Sequence, residues 1–306
     1  MATPPKRRFW AVLDPWLLSV ALIWGGNFAV YKLVLAQVTP LVVVGVRYGL
    51  MALPLLLAAR VLTSHPPLDR AHWGALLYAG LVVQSVQQLS FIVGVNLATA
   101  VEAALLTSTM PIWTALIAVG MGQERLTRLN WVGVVVGFVG VAMVVLGGAD
   151  TAHLVGMGRA MGDLLLLGAA VLYGYFTVLV KPLVEEHGGL QTVAWCYALG
   201  SLVIVPAAGR DLVATDWLAL TPLTWFLLVG YIGALAGVYG FTVWYTSVGR
   251  TSAARTAAYQ YLVPVIAMVT AAILLGERLQ ALQLMGAAVT LAGLAMSRWP
   301  AEGAAA

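Results

Sequence analysis

Long apolar runs alternate with short polar breaks along the whole chain. Cutting at charges, prolines and loop-forming residues predicts ten helical spans. The first five are Pro15–Leu35, Pro40–Leu62, Trp73–Val95, Thr99–Met121 and Leu129–Leu146. After a polar connection around Asp150–Arg159, the others are Met161–Val180, Leu190–Ala208, Leu223–Ser247, Ser252–Leu275 and Leu279–Arg298. Most of these runs are close to the roughly 20 apolar residues that cross a bilayer core. The pattern predicts an all-α integral membrane protein of ten transmembrane helices.

An internal repeat divides the pattern in two. Adding 153 to a position in the third to fifth spans carries Tyr78 onto Tyr231, Gly80 onto Gly233, Pro111 onto Pro264, Gly133 onto Gly286 and Gly140 onto Gly293. It also carries Glu124-Arg125-Leu126 onto Glu277-Arg278-Leu279 and Ala142-Met143 onto Ala295-Met296. An offset of 149 relates the first span to the sixth, pairing Asp14 with Asp163, Gly25 with Gly174 and Lys32 with Lys181. The expected units are residues 1–150 and 151–306. Five spans per unit is an odd number, so the second copy enters the membrane from the opposite side. Inverted repeats suit alternating access around a midplane site.

Composition agrees with a membrane reading: 61% of residues are hydrophobic, 9% are charged, and the mean hydropathy is +0.93. A soluble domain of this length cannot hide that much apolar surface. The net charge of +4 is spread through connections, which speaks for topology and against nucleic-acid binding. With the N-terminus inside, Lys6, Arg7, Arg8, Arg60, Arg70, Arg125, Arg128, Lys181, Arg250, Arg255 and Arg298 fall on the cytoplasmic side, and Arg159, Arg210 and Arg278 fall outside. Both termini are then cytoplasmic, in a cell membrane expected to be a bacterial inner membrane. The basic arm reads as an anchor, because the first apolar run exceeds the ~7 to 15 residues of a signal peptide. Trp16, Trp73, Trp131, Trp217, Trp225 and Trp299 sit near span ends, as an interfacial belt requires.

No cofactor or metal is expected. Cys196 is the sole cysteine, and His65, His72, His153 and His187 are scattered along the sequence. The chain has no His-Glu-x-x-His, no Gly-x-Ser-x-Gly and no pair of central carboxylates, which argues against an enzyme. It has no charge ring or carbonyl filter motif, which argues against a channel.

The two five-span units, each with Trp-Gly or Tyr-Gly in the first span, a proline in the fourth and Gln-Glu-Arg or Gly-Glu-Arg at its end, resemble the EamA-type transporters of the drug/metabolite transporter superfamily. Arg47, shortly after Pro40, also fits that family's first unit. Within the superfamily the chain looks most like the YddG-type exporters of aromatic and other neutral amino acids. The resemblance implies export of a small neutral solute from the cytoplasm, with neutral amino acids foremost and no oligomer required.

Polar side chains inside a bilayer are costly and normally face a wet interior, so they are the candidate site. In the third span Gln84, Gln87, Gln88 and Phe91 follow helical spacing, with Gln84, Gln88 and Phe91 on roughly one face. Their amides either hold a zwitterion or join helices. Trp24 and Asn27 combine a ring and an amide in the first span, and Tyr173 and Tyr175 repeat that mixture in the sixth. Tyr78, Tyr231, Tyr239, Trp244, Tyr259 and Gln260 add amphipathic groups. Arg47 is the deepest fixed charge, and it either grips a substrate carboxylate or snorkels to a helix end. Pro111 and Pro264 are either gating bends or static kinks. Glu124 and Glu277 are expected to cap helix ends, and Glu102 and Arg255, equivalent in the repeat, are not expected to pair. The acids lie near span ends, which favours flow down the substrate gradient over proton coupling.

Overall fold

The computed structural model describes residues 14–62, 70–97, 103, 106–147, 157–275 and 279–298. The arm Lys6–Arg8, Glu102, Glu277 and Arg278 lie outside the described residues, as do the side chains of Lys32 and Arg70. Among the described residues there is no strand, and ten longer helical segments are joined by shorter helical pieces at Arg70–His72, 106–107 and Gly209–Ala214. The ten are α1 (Pro15–Leu35), α2 (Pro40–Leu62), α3 (Trp73–Leu97), α4 (Met110–Gly120), α5 (Arg128–Gly147), α6 (Met157–His187), α7 (Gly189–Ala207), α8 (Pro222–Arg250), α9 (253–275) and α10 (Ala281–Ser297). Of these, α2, α3, α6, α7 and α8 are long and apolar enough to cross a membrane by length and composition.

Local chemistry sets the boundaries. Asp14 opens α1 by accepting a hydrogen bond from the Trp16 amide at 2.9 Å, with Pro15 in the first turn. Gln280 and Gln283 open α10 with a reciprocal capping box. Gly122, at φ 70°, turns the chain after α4. Leu53, Val61, Leu164, Leu202 and Phe226 are more than half exposed, as an outer surface facing lipid tails allows.

The irregularities recur at the repeat offset. Tyr78–Gln84 in α3 is wound as a π-helix, and Phe226–Tyr239 in α8 contains the equivalent stretch. The helix ahead of Pro111 is broken at Ser108–Thr109, and that ahead of Pro264 tightens to a 3₁₀ turn at Ala258–Tyr261. Pro111 therefore stands in the first turn of α4, where a missing amide proton breaks no helical bond.

The two halves interleave. α5 packs on α10 and α2 on α7. α3 meets α6 as α8 meets α1, α4 meets α6 as α9 meets α1, and α3 meets α7 as α8 meets α2. Each of these contacts is thus matched by one in which every helix is replaced by its repeat counterpart. Along the α5–α10 seam, Gly133 faces Ser297, Gly137 faces Gly293, Gly140 faces Thr290 and Val144 faces Gly286. One number climbs as the other falls, so these helices run antiparallel, and the repeat offset maps the seam onto itself.

Lipid supplies no hydrophobic force between helices, so close backbone packing holds such a seam. A Cβ at Gly293 would lie 2.2 Å from the Gly137 amide nitrogen and 2.5 Å from its Cα, backbone atoms that no rotamer change can move. Gly293→Ala is therefore expected to destabilise the fold by about 1–3 kcal/mol. The check is a thermal unfolding midpoint in detergent. It should fall for Gly293→Ala and not for Gly168→Ala, where nothing lies within 4 Å.

Candidate functional site

A cavity of about 130 Å³ lies where the halves meet. Trp24, Asn27 and Tyr31 reach it from α1, Arg47 from α2, and Gln87, Gln88 and Phe91 from α3. Tyr173 comes from α6, Ala236 and Phe241 from α8, Thr107 and Ser108 from the break before α4, Met110 from the start of α4, and Gln260, Val263 and Pro264 from the 3₁₀ turn within α9 and the residues just after it. Unwound backbone is tolerated at membrane depth where it lines such a space. Four pairs of repeat equivalents line it: Trp24 with Tyr173, Gln88 with Phe241, Thr107 with Gln260, and Met110 with Val263.

Arg47 dominates the electrostatics. The residue is 5% exposed, its Nη2 donates to Gln88 Oε1 at 2.6 Å, and its Nη1 approaches the Tyr31 hydroxyl at 3.4 Å. The guanidinium lies 5.4 Å from the Tyr48 ring centre and 5.7 Å from that of Phe241. Gln88 passes the polarity on, its Nε2 donating to Gln87 Oε1 at 2.8 Å. Neutral dipoles thus hold the cation: no aspartate or glutamate is among the described lining residues, and Arg47 Nε has no hydrogen-bond partner among the described residues. Asn27 Oδ1 and the Tyr173 hydroxyl share that condition. Unmatched buried polar groups cost about 1–3 kcal/mol each, so a solute that satisfies them gains that much.

The aromatic wall is built in two layers. Trp24 is fixed by its Nε1 donating to the Ala236 carbonyl at 3.0 Å, and packs 5.3 Å from Phe241 and 5.1 Å from Trp244. Trp244 is buried behind it and also meets Tyr173 at 6.3 Å. It supports the lining without belonging to it.

Of the residues singled out in the sequence, Trp24, Asn27, Arg47, Gln87, Gln88, Phe91, Tyr173, Gln260 and Pro264 line the cavity. The others are placed elsewhere. Gln84 sits one turn from Gln88 and donates to the Tyr48 hydroxyl at 2.9 Å. Tyr78 and Tyr175 pack edge to face at 6.4 Å, with Tyr78 46% exposed. Tyr239 bonds Ser19 at 2.8 Å, and Tyr231 donates to the Ile23 carbonyl at 2.8 Å. Tyr259 is buried between the Asp14 amide and the Arg298 guanidinium, joining the start of α1 to the end of α10. Pro111 is buried at the foot of α4.

Sequence reasoning overlooked Tyr31, Phe241, Thr107 and Ser108, which carry no helical pattern of their own. It also overlooked Tyr48 and Tyr197, which stack at 4.5 Å with their planes 9° apart. A signal for that pair was present: the offset of 149 carries Tyr48 onto Tyr197. The same offset carries Arg47 onto buried Cys196, so the charge stands in the first half only.

The Tyr173 hydroxyl offers a direct probe. Tyr173→Phe is expected to leave the unfolding midpoint unchanged or slightly raised while lowering transport by about 2- to 10-fold, the value of one neutral hydrogen bond. Initial rates and a melting curve on the same preparation check it.

Comparison with known proteins sets this geometry in context. The model of the EamA-like transporter family matches residues 12–146 and again 160–299. An uncharacterized transporter of Archaeoglobus fulgidus is 27% identical over 282 residues, spanning 91% of this chain and 94% of the relative. A protein of Salmonella typhimurium named as a probable amino-acid metabolite efflux pump is 27% identical over 90% of this chain and 91% of its own length. One of Streptantibioticus cattleyicolor named as a probable terminal-alkyne amino-acid exporter is 29% identical over 63% of this chain and 62% of its own. A solved crystal structure shares the fold, with a TM-score of 0.74 at 16% identity, covering 92% of this chain and 94% of that one.

Proposed function

The chain belongs to the EamA-like transporter family, and from that premise we propose that it exports small neutral solutes, chiefly aromatic and other neutral amino acids, by alternating access at the Arg47 cavity. The observation that carries this reading is a buried guanidinium with no acidic residue among the described cavity lining. Such a field repels a cationic drug and favours a solute that brings its own carboxylate. A zwitterion fits both ends: the carboxylate at Arg47, the ammonium among the amide oxygens and ring faces. The apolar body meets Trp24, Tyr173 and Phe241. The names of the Salmonella and Streptantibioticus relatives point the same way.

In this reading residues 1–150 and 151–306 are inverted halves with both termini in the cytoplasm, in a bacterial inner membrane. The antiparallel α5–α10 seam and the exchanged helix contacts support it. Pro111, just beyond the break before α4, and Pro264, just beyond the 3₁₀ turn of α9, supply the bends. With no carboxyl group to carry a proton among the described lining residues, flow follows the substrate gradient.

Purified protein in proteoliposomes, given labelled phenylalanine, leucine, phenethylamine, a nucleotide sugar and a quaternary ammonium dye, tests the proposal. Uptake of the two amino acids alone is expected, and it should be indifferent to an imposed pH gradient. Transport of the cations without the amino acids refutes the assignment, and acceleration by the pH gradient replaces facilitated flow with a proton-coupled exporter.

A further inference from the structure

A second cluster lies where the last turn of α6 meets the turn leading into α3. His72 ends the 3₁₀ turn Arg70–His72, and Glu186 and His187 are the last residues of α6. Gly188, at φ 80°, then turns the chain away. Because α3 and α6 pack together, two histidines far apart in sequence come into contact. His187 Nε2 lies 3.2 Å from His72 Nδ1 and 3.7 Å from Glu186 Oε1, and His72 Nε2 lies 3.3 Å from Glu186 Oε2. One donor atom from each of the three residues falls within 4.8 Å of the other two.

A tetrahedral ion with bonds of about 2.0–2.1 Å spaces its donors by about 3.3 Å. The separation of 3.2 Å between His72 Nδ1 and His187 Nε2 matches one such edge, and a rotation of the exposed Glu186 side chain closes the others from the 4.8 Å that bounds the three donors. His187 is 1% exposed and gives a fixed donor, whereas the Glu186 side chain is 52% exposed and leaves one side open to water. Two imidazoles and a carboxylate suit a borderline-soft ion; calcium and magnesium demand six or more oxygens. We propose that His72, Glu186 and His187 bind a divalent transition ion of the zinc class, with water as the fourth ligand.

The site joins the first half to the second. It lies on the same helix as Lys181, whose ammonium pairs with Glu124 at 3.1 Å. An ion held there resists separation of the α3 and α6 ends and so slows transport. That consequence rests on the function proposed above; the binding does not.

The full chain in detergent, stripped with chelator and titrated with zinc chloride and then cobalt(II) chloride, tests the site. One saturable zinc per chain is expected, with a higher unfolding midpoint and a tetrahedral cobalt spectrum. His72→Gln should weaken binding at least about 100-fold. Glu186→Gln, at an exposed position that spares the fold, should weaken it at least about 10-fold. Absence of saturable binding to the unaltered protein, or binding unchanged in both variants, overturns the site. In proteoliposomes, zinc should lower amino-acid uptake by the unaltered protein and not by His72→Gln. Uptake indifferent to bound zinc overturns the clamp. Zinc bound by protein that carries no tested solute supports the site and counts against the transport reading alone.

Discussion

Arg47→Gln is expected to lower phenylalanine uptake by about 30- to 100-fold while leaving the fold intact. Hydrogen bonds to a charged group contribute about 1.5–3 kcal/mol each, and tenfold corresponds to about 1.4 kcal/mol. Stability should not suffer, because the guanidinium is buried with neutral partners only, and replacing it removes a desolvation cost. Arg47→Lys separates charge from shape: the ammonium preserves the field but not the planar fork that grips a carboxylate with two parallel bonds. It should recover part of the lost uptake, to within about 10-fold of the parent. Uptake of phenylalanine by Arg47→Gln within about twofold of the parent, with equal amounts reconstituted, would place the carboxylate elsewhere. A fall in the unfolding midpoint of several degrees would mean that Arg47 serves the fold instead.

How far the sequence reached depended on the kind of signal. Helix positions follow from hydrophobic runs, and the predicted second span coincides with α2 while the seventh differs from α7 by one residue at each end. The repeat was legible because Gly133, Gly140, Gly286 and Gly293 recur without a gap, and these residues build the α5–α10 seam. The cavity was legible only in part. Helical spacing placed Gln84 and Gln88 on one face, yet it says nothing of depth along the axis, so Gln84 bonds Tyr48 one turn away from the cavity. Aromatics such as Tyr78 and Tyr239 give the same sequence signal whether they line a cavity or pack against a neighbouring helix. Thr107 and Ser108 were invisible because they count only where the helix is broken, and the unwinding before Pro111 is a tertiary feature. The histidines are scattered along the sequence, and only the packing of α3 on α6 brings His72 to His187.

Glu124→Gln should produce the largest loss of stability among changes to charged residues. The Glu124 carboxylate stands at a junction of three elements. It accepts from Lys181 Nζ of α6 at 3.1 Å, from the Ala253 amide at 2.6 Å and from the Ala254 amide at 3.3 Å, and it contacts the Ser252 hydroxyl. Ser252 caps α9, so the carboxylate also sits at the positive end of that helix. The Lys181 and Glu124 side chains are 11% and 6% exposed, so breaking the pair leaves the ammonium with little water and only the half-exposed Glu185 carboxylate, at 4.0 Å, beside it. Removing one partner of such a pair costs about 3–5 kcal/mol, read as a lower unfolding midpoint in detergent. A double-mutant cycle with Lys181→Met distinguishes pairing from capping. If the ion pair dominates, the double variant is more stable than Glu124→Gln alone, because the stranded ammonium is gone. If capping dominates, Lys181→Met adds its own loss. On the topology proposed above this junction closes the cytoplasmic side, so a protein that must open there cannot hold the pair through every cycle. Glu124→Gln, once reconstituted, should therefore shift the resting protein toward the cytoplasm-open form, seen as faster labelling of a cysteine placed at Ser108 from the cytoplasmic face. Labelling at the parent rate would mean that the pair only staples the fold and the opening lies elsewhere.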